Sequence, residues 1–252
     1  MFQRFVTKIG EAGLTCVNIV RVAVHGKIDW SETLSLIESG GIRSLPIIAL
    51  SSSFIGMAIS VQLAKEIVSR YGADSLVGGF VSISMVRELG PVFIAVIMVG
   101  SIGAAITAEI ASMKVEDQID ALKVFRISPL AYLLLPRIIA TAISGPALTV
   151  IGTFLAILAG QLFTEFLVNI PAETFWESVK FSIDTRDIAD MLLKSLVFSI
   201  AIVLIACYNG LTVKGSSRSV GINTTRTVVW SLLAIFILNY ILTAMFFQIT
   251  ND

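Results

Sequence analysis

Apolar residues run along this chain in long blocks separated by short polar stretches, and the block lengths set its architecture. A helix needs about 20 apolar residues to cross the hydrocarbon core of a bilayer. Five blocks meet that length: about Leu45 to Ala64, Pro91 to about Met113, Ile138 to Phe163, about Met191 to Leu211, and Val228 to Phe247. The pattern predicts an all-α integral membrane protein with about five transmembrane helices. Pro91 stands at the first turn of the second block, where its missing N–H costs least. The third block follows the short apolar piece "PLAYLLLP", and Pro146 is placed to kink it. "SLVGGFVSISMV", Ser75 to Val86, is too short to span alone. It can extend the second helix, re-enter the membrane or lie in its interface. Ahead of the first block, within residues 1–44, Phe2, Phe5, Val6, Ile9, Cys16, Val17, Val20 and Val24 follow helical spacing. That stripe fits an amphipathic helix in the membrane interface, or one packed on the rest of the protein. Arg4, Lys8, Glu11 and Arg21 interrupt it, so the unbroken apolar region of a secretion signal is not present.

Composition agrees with the pattern. The chain is 56% hydrophobic with a mean hydropathy of +0.89, against about 45–50% apolar residues in a soluble domain. Eighteen basic and eighteen acidic residues cancel, which gives no support to a nucleic-acid partner. Cys16 and Cys207 are far apart and form no metal or redox motif. His25 is the sole histidine and has no nucleophile arranged around it, so no catalytic set and no metal site is expected. Basic residues then give direction. With a cytoplasmic N-terminus, twelve of the eighteen fall in the N-terminal segment and in loops 114–137 and 212–227, and six fall on the other side. Cytoplasmic loops carry the excess, which puts the N-terminus in the cytoplasm and the C-terminus across the membrane. Gly56/Ser60, Gly100/Ala104, Gly152/Ala156 and Ala156/Gly160 have the spacing that lets helices approach closely, chiefly for packing within one subunit.

Two groups of charges stand out. "AEIASMKVEDQIDALKVFRISP" places Glu109, Glu116, Asp117 and Asp120 between two spans of a chain in which only 14% of residues are charged. Val115, Ile119 and Leu122 recur at helical spacing and give this segment one apolar face. Glu116 and Asp120, both negative at i, i+4, oppose the helix slightly. Two explanations stand. Glu116 and Asp117 can sit in a first helical turn, where the dipole favours acids, with Lys123 answering Asp120. Alternatively, a cytoplasmic partner brings basic groups to this face. The second group is Arg87 and Glu88, just before Pro91, with Lys194 at a similar depth on the far side. Charges at that depth usually face a cavity or a partner. Arg87 or Lys194 can hold a phosphate headgroup, with Phe54, Met57, Val61, Leu63 and Leu89 lining an acyl-chain path. Equally, Arg87 and Glu88 can be an interfacial anchor and Lys194 can snorkel.

The stretch "VRELGPVFIAVIMVGSIGAAITAEIASMKVEDQIDALKVFRISPLAYLLLPR" resembles the MlaE/YrbE family, the permeases of MCE-associated ABC transporters for lipids. The family pattern is met by Arg87–Pro91 with Gly90, by the small residues Gly100–Ala105, and by Ala108–Glu109 with Met113. It continues in Glu116–Leu122 (including Gln118), Pro129, and Pro136–Arg137. Asp117 departs from it, inserted between the Glu and Gln of the usual pair. "FIGMAISVQL" resembles the family's first span, and "CYNGLTVKGSSRSVGINTTRTVV" its last cytoplasmic loop. The resemblance covers roughly residues 10 to 247. It implies one permease domain over 1–252, with 1–44 as the N-terminal amphipathic segment and 45–252 as the transmembrane core. It implies that Val115–Val124, near 114–125, is a coupling helix docking on a separate ATPase. It further implies a homodimer, an MCE-domain protein on the periplasmic side, and phospholipid or a similar amphiphile as cargo; a Gram-negative inner membrane is the expected location, with a plastid or mycobacterial-type envelope as the alternatives. ATP and Mg²⁺ would be bound by the ATPase, because this chain has no G-x-x-x-x-G-K-[ST] motif. "KGSSRSVG", Lys214 to Gly221, has the wrong order for such a loop and is read as a turn between the fourth and fifth spans. Two other classes remain: a carrier driven by an ion gradient, which would want acids buried within spans, and a scaffold that only anchors MCE proteins.

Overall fold

The computed structural model describes residues 30–126 and 128–250. The stripe Phe2 to Val24, with Cys16 and His25, lies outside the described residues. Among the described residues the chain is helical and has no strand, and five helices are long and apolar enough to cross a membrane. In chain order these and the helices between them are α1 (Trp30–Tyr71), α2 (Asp74–Val115), α3 (Gln118–Val124), α4 (Tyr132–Val168), α5 (Ala172–Ser182), α6 (Thr185–Leu211) and α7 (Ser217–Thr250).

The helices outrun the apolar blocks. Helix α1 is already helical at Trp30, the first described residue, inside the stretch read as an N-terminal segment to residue 44, and passes through a π-helical turn at Ile37–Gly41 before its apolar run. Helix α2 takes in Ser75 to Val86, which settles that piece as an extension of the second span. At about 1.5 Å per residue its 42 residues reach well beyond a hydrocarbon core of about 30 Å. Hydropathy marks only the lipid-contacting part of a helix, whereas backbone hydrogen bonding carries it on wherever protein covers it. Helix α5 supplies that cover: Gly78 lies against the Phe175 backbone, and the Gly79 N–H donates to Ser178 Oγ at 2.8 Å. Helix α4 continues unbroken through Pro146.

The chain groups into two compact units, each drawing on several helices. Among the described residues, one contains 43–97, 145–198 and 235–250. Its core includes Ala64, Val77, Val81, Met85, Ala156, Phe175 and Met191. Here α1 and α4 approach closely through small residues. A Cβ on Gly56 would overlap the Ala156 carbonyl, and one on Gly160 would meet Ser60. The spacing of Gly56/Ser60 and Ala156/Gly160 is therefore packing within one chain. Gly100, by contrast, faces open space. Gly56→Leu is expected to cost about 1–3 kcal/mol by forcing α1 and α4 apart, read by thermal unfolding in mild detergent. Gly100→Ala should cost nothing measurable.

Among the described residues, the other unit contains 30–42, 98–126, 128–144 and 199–234. Ile106, Ile110, Ile202, Ala206 and Cys207 are buried in it, so Cys207 is the small apolar filler its isolation suggested. Three spans meet there at a buried polar network. Asn209 Nδ2 donates to Thr227 Oγ1 at 3.0 Å, the Thr107 and Thr227 hydroxyls lie 2.9 Å apart, and Thr107 Oγ1 is 3.2 Å from the Ala206 carbonyl. Each of these polar groups has a partner, as low-dielectric surroundings demand.

Candidate functional site

Arg87 and Glu88 sit in a π-helical turn, Met85–Leu89, more than three turns inside α2. The helix therefore begins well before them, whereas the apolar block alone had the second helix begin at Pro91. The local sequence explains the turn. Pro91 has no N–H to give the Arg87 carbonyl four residues back, and Gly90 donates to Met85 instead. Gly90 also has no room for a side chain, since a Cβ would meet Thr153 and the Met85 carbonyl. The freed Arg87 carbonyl accepts from Lys194 Nζ of α6 at 2.7 Å. The same ammonium donates to Glu88 Oε1 at 2.8 Å and Thr243 Oγ1 at 2.8 Å. Thr243 Oγ1 also donates to Glu88 Oε1 at 2.7 Å, and Asn239 Nδ2 to Oε2 at 2.8 Å. Three helices, α2, α6 and α7, are thus tied through one carboxylate and one ammonium.

The two sequence candidates for anion binding come out differently. The Lys194 side chain is 3% exposed, and its three N–H groups all have protein acceptors. It is a tie between helices, neither snorkelling nor open to a ligand. Arg87 reaches outward. Its Nε and Nη2 bond Asp187 at 2.7 and 3.3 Å, its side chain is 55% exposed, and its other N–H groups have no partner among the described residues. Asp187, Asn239 and Thr243 escaped the sequence reading. Asn239 had a signal, as a lone amide in the apolar run "FILNYILTAM". Its Oδ1 is buried without a hydrogen-bond partner.

The apolar candidates do not gather around these charges within one chain. Phe54 is exposed on the outer face of α1, where Met57, Val61 and Leu63 are half-buried. Leu89 lines a cavity of only about 10 Å³ with Ser52, Ile55, Met85 and Phe93.

The acidic segment is shorter and more sharply turned than its periodicity suggested. Helix α2 ends at Val115, and α3 starts at Gln118. Val115 therefore does not share a helix with Ile119 and Leu122, and Glu116 and Asp117 form the corner in place of a first turn. Asp117, the residue inserted in the family pattern, has φ +57°. Aspartate tolerates that left-handed conformation better than most side chains, and its carbonyl accepts from Asp120 and Ala121 to start α3. Ile119 is buried and Leu122 half-buried, while Glu116, Asp117, Gln118, Val124 and Phe125 are exposed. The acids divide in role. Asp120 accepts from Lys114 at 2.8 Å and from Lys123 at 2.7 Å, so Lys123 does answer it. Glu116 has only Gln118 Nε2, at 2.7 Å. At the stems of the segment, Glu109 of α2 pairs with Arg137 of α4 at 2.8 Å. Arg137 is buried and also donates to the Leu133 carbonyl, while Pro129 and Pro136 flank the start of α4.

Hydrogen bonds from Lys114 and Lys123 lower the Asp120 carboxyl to about 2. A depressed carboxylate contributes stability that is whole above its unfolded value, about 3.9, and is lost as pH falls through the folded one. The corner should therefore keep its amide-exchange protection at pH 5 and lose it between about pH 4 and 2. Asp120→Asn should remove that acid-dependent loss.

Comparison with known proteins places the chain. The family model "Permease MlaE" matches residues 33–245. A probable ABC transporter permease protein of Synechocystis is 38% identical over all of this chain and 94% of its own length. The chloroplastic protein TRIGALACTOSYLDIACYLGLYCEROL 1 of Arabidopsis thaliana is 34% identical over 93% of this chain and 67% of its own. A probable ABC transporter permease protein of Rickettsia felis is 35% identical over 98% and 95%. With its five apolar helices and a family match across most of its length, this multi-pass membrane chain belongs to the MlaE permease family.

Proposed function

We propose that the chain is the membrane subunit of an ABC transporter that moves phospholipid or a related amphiphile between the inner membrane and an MCE-domain partner. It works as a homodimer on two copies of a separate ATPase, which holds the ATP and Mg²⁺. The observation that carries this reading is the corner at Glu116–Phe125. The corner and the short helix after it expose Glu116 and Asp117, neither with a cationic partner among the described residues, and the apolar pair Val124 and Phe125, and the stems are tied by Glu109 and Arg137. Such a surface suits a groove in another protein, and motion there passes directly into α2 and α4. The positive bias of loops 114–137 and 212–227 supports a cytoplasmic side for it, with the N-terminus cytoplasmic and the C-terminus periplasmic. The relative named after a galactolipid supports a lipid as cargo.

For the lipid, Arg87 offers free N–H groups to a phosphate and Asn239 Oδ1 an acceptor for a headgroup hydroxyl. Ile47, Leu50 and Phe54 of α1 are exposed in the single chain. A second copy facing them would make the acyl-chain path that one chain lacks. Glu88 lies within a helix, where a gradient-driven carrier would place its acid, yet three donors, Lys194, Asn239 and Thr243, hold it fixed. Native mass spectrometry on the chain purified from its own membrane in mild detergent tests the reading. A dimer with two ATPase copies and bound lipid is expected. A lone, lipid-free chain, under conditions that keep a known ABC complex together, would overturn it.

A further inference from the structure

A cavity between the end of α6 and the start of α7 belongs neither to the Glu88 cluster nor to the coupling corner. Its volume is about 290 Å³, and Thr212, Lys214, Ser219, Ile222, Asn223 and Arg226 line it. That is close to the lower end of ligand pockets, about 300–1,000 Å³. The sequence reading took this stretch for a plain turn. Gly215, at φ +101°, reverses the chain, and α7 starts two residues later. Ser219, Ile222, Asn223 and Arg226 then fall at i, i+3, i+4 and i+7 and share one face of α7, with Thr212 and Lys214 arriving from the α6 side. Asn223 is buried, and its Nδ2 donates to the Ser219 carbonyl, which stiffens the floor.

The charge of this cavity is one-sided. Residues 212–227 contain Lys214, Arg218 and Arg226 and no acid. Lys214 and Arg226 have no hydrogen bond or ion pair among the described residues. Lys114, Lys123, Arg137 and Lys194, by comparison, each have a carboxylate partner. Lys214 and Arg226 can donate to a phosphate from this lining, with the Ser219 hydroxyl beside them, while the Thr212 hydroxyl already donates to the Tyr208 carbonyl at 2.8 Å, and the N-terminal end of a 34-residue helix adds positive potential. Ile222, half exposed, gives one wall an apolar surface against which a glycerol backbone can rest.

We infer that this cavity binds a phosphate ester, and that its occupant is the headgroup of an anionic glycerophospholipid beside α6 and α7. The site shares no residue with the Arg87 and Glu88 cluster and stands whether or not the transport reading does. A lipid held there would pin the loop between the last two spans to the membrane surface.

The test is lipid retention by the purified complex, read by native mass spectrometry after exchange into phosphatidylglycerol or phosphatidylcholine nanodiscs. The parent protein, Arg218→Gln and the double variant Lys214→Arg with Arg226→Lys should all retain phosphatidylglycerol, and phosphatidylcholine less. Lys214→Gln with Arg226→Gln should lose at least about tenfold, since each base near a membrane surface is worth about a factor of five. Both residues are exposed, so the double variant should fold, and its thermal unfolding checks that. Three results would overturn the inference. An equal loss in Arg218→Gln would mean diffuse surface charge. Displacement of the lipid by millimolar inorganic phosphate or glycerol 3-phosphate would make a soluble phosphate the occupant. Unchanged lipid binding with loss of the ATPase would assign the cavity to a protein interface.

Discussion

Glu88→Leu should destabilise the protein more than Lys194→Met, and the two together should cost less than Glu88→Leu alone. The asymmetry comes from burial. The Lys194 side chain is 3% exposed and that of Glu88 is 40% exposed. Removing the carboxylate strands a buried ammonium with only the Arg87 carbonyl and Thr243 to bond, and it takes the acceptor from Asn239. Breaking a buried pair from one side costs about 3–5 kcal/mol. Removing the ammonium leaves a partly hydrated carboxylate still bonded to Asn239 and Thr243, and solvent screening lowers the cost to about 1–2 kcal/mol. The double variant buries no unpaired charge and should stay within about 2 kcal/mol of the parent. Denaturant unfolding in mild detergent measures all three. Equal losses in the two single variants would mean that the pair is hydrated in the membrane and does not tie α2 to α6.

That pair also shows what the sequence could and could not give. The five spans follow from apolar block length, and Arg87, Glu88 and Lys194 stand out as charges beside those blocks. The purpose of "RELGP" was hidden because it depends on a distant residue. Pro91 frees the Arg87 carbonyl, a local fact, but the donor that takes it lies more than a hundred residues away on α6. Periodicity likewise gave α3 its apolar Ile119 and Leu122. It missed the break before Gln118, because one residue in left-handed conformation interrupts a helix without disturbing the spacing on either side. Asp117 carried the signal, as an insertion in an otherwise regular family pattern. The short reach of α2 in the sequence reading has a different cause. Ser75 to Val86 is covered by α5, and hydropathy cannot distinguish cover by protein from cover by lipid.

Glu116→Lys should leave the fold intact and still uncouple the protein. Glu116 is exposed and bonds only Gln118, so its reversal should shift stability by no more than about 0.5 kcal/mol. If the corner docks on an ATPase, however, the new lysine faces the basic groups that the acids attract. A like-charge contact at an interface costs several kcal/mol, so co-purification of the ATPase and lipid transfer in proteoliposomes should fall by about tenfold to a hundredfold. Asp120→Lys is the informative companion. Asp120 holds Lys114 and Lys123, so its reversal places three cations together and should loosen α3 itself. Asp120→Lys alone would therefore lose coupling for either of two reasons, local unfolding or partner repulsion. Only Glu116→Lys separates them, because its side chain has almost no role within the chain. Full transport in Glu116→Lys, with the ATPase still bound, would confine the acids to capping the corner and remove the observation on which the transporter reading rests.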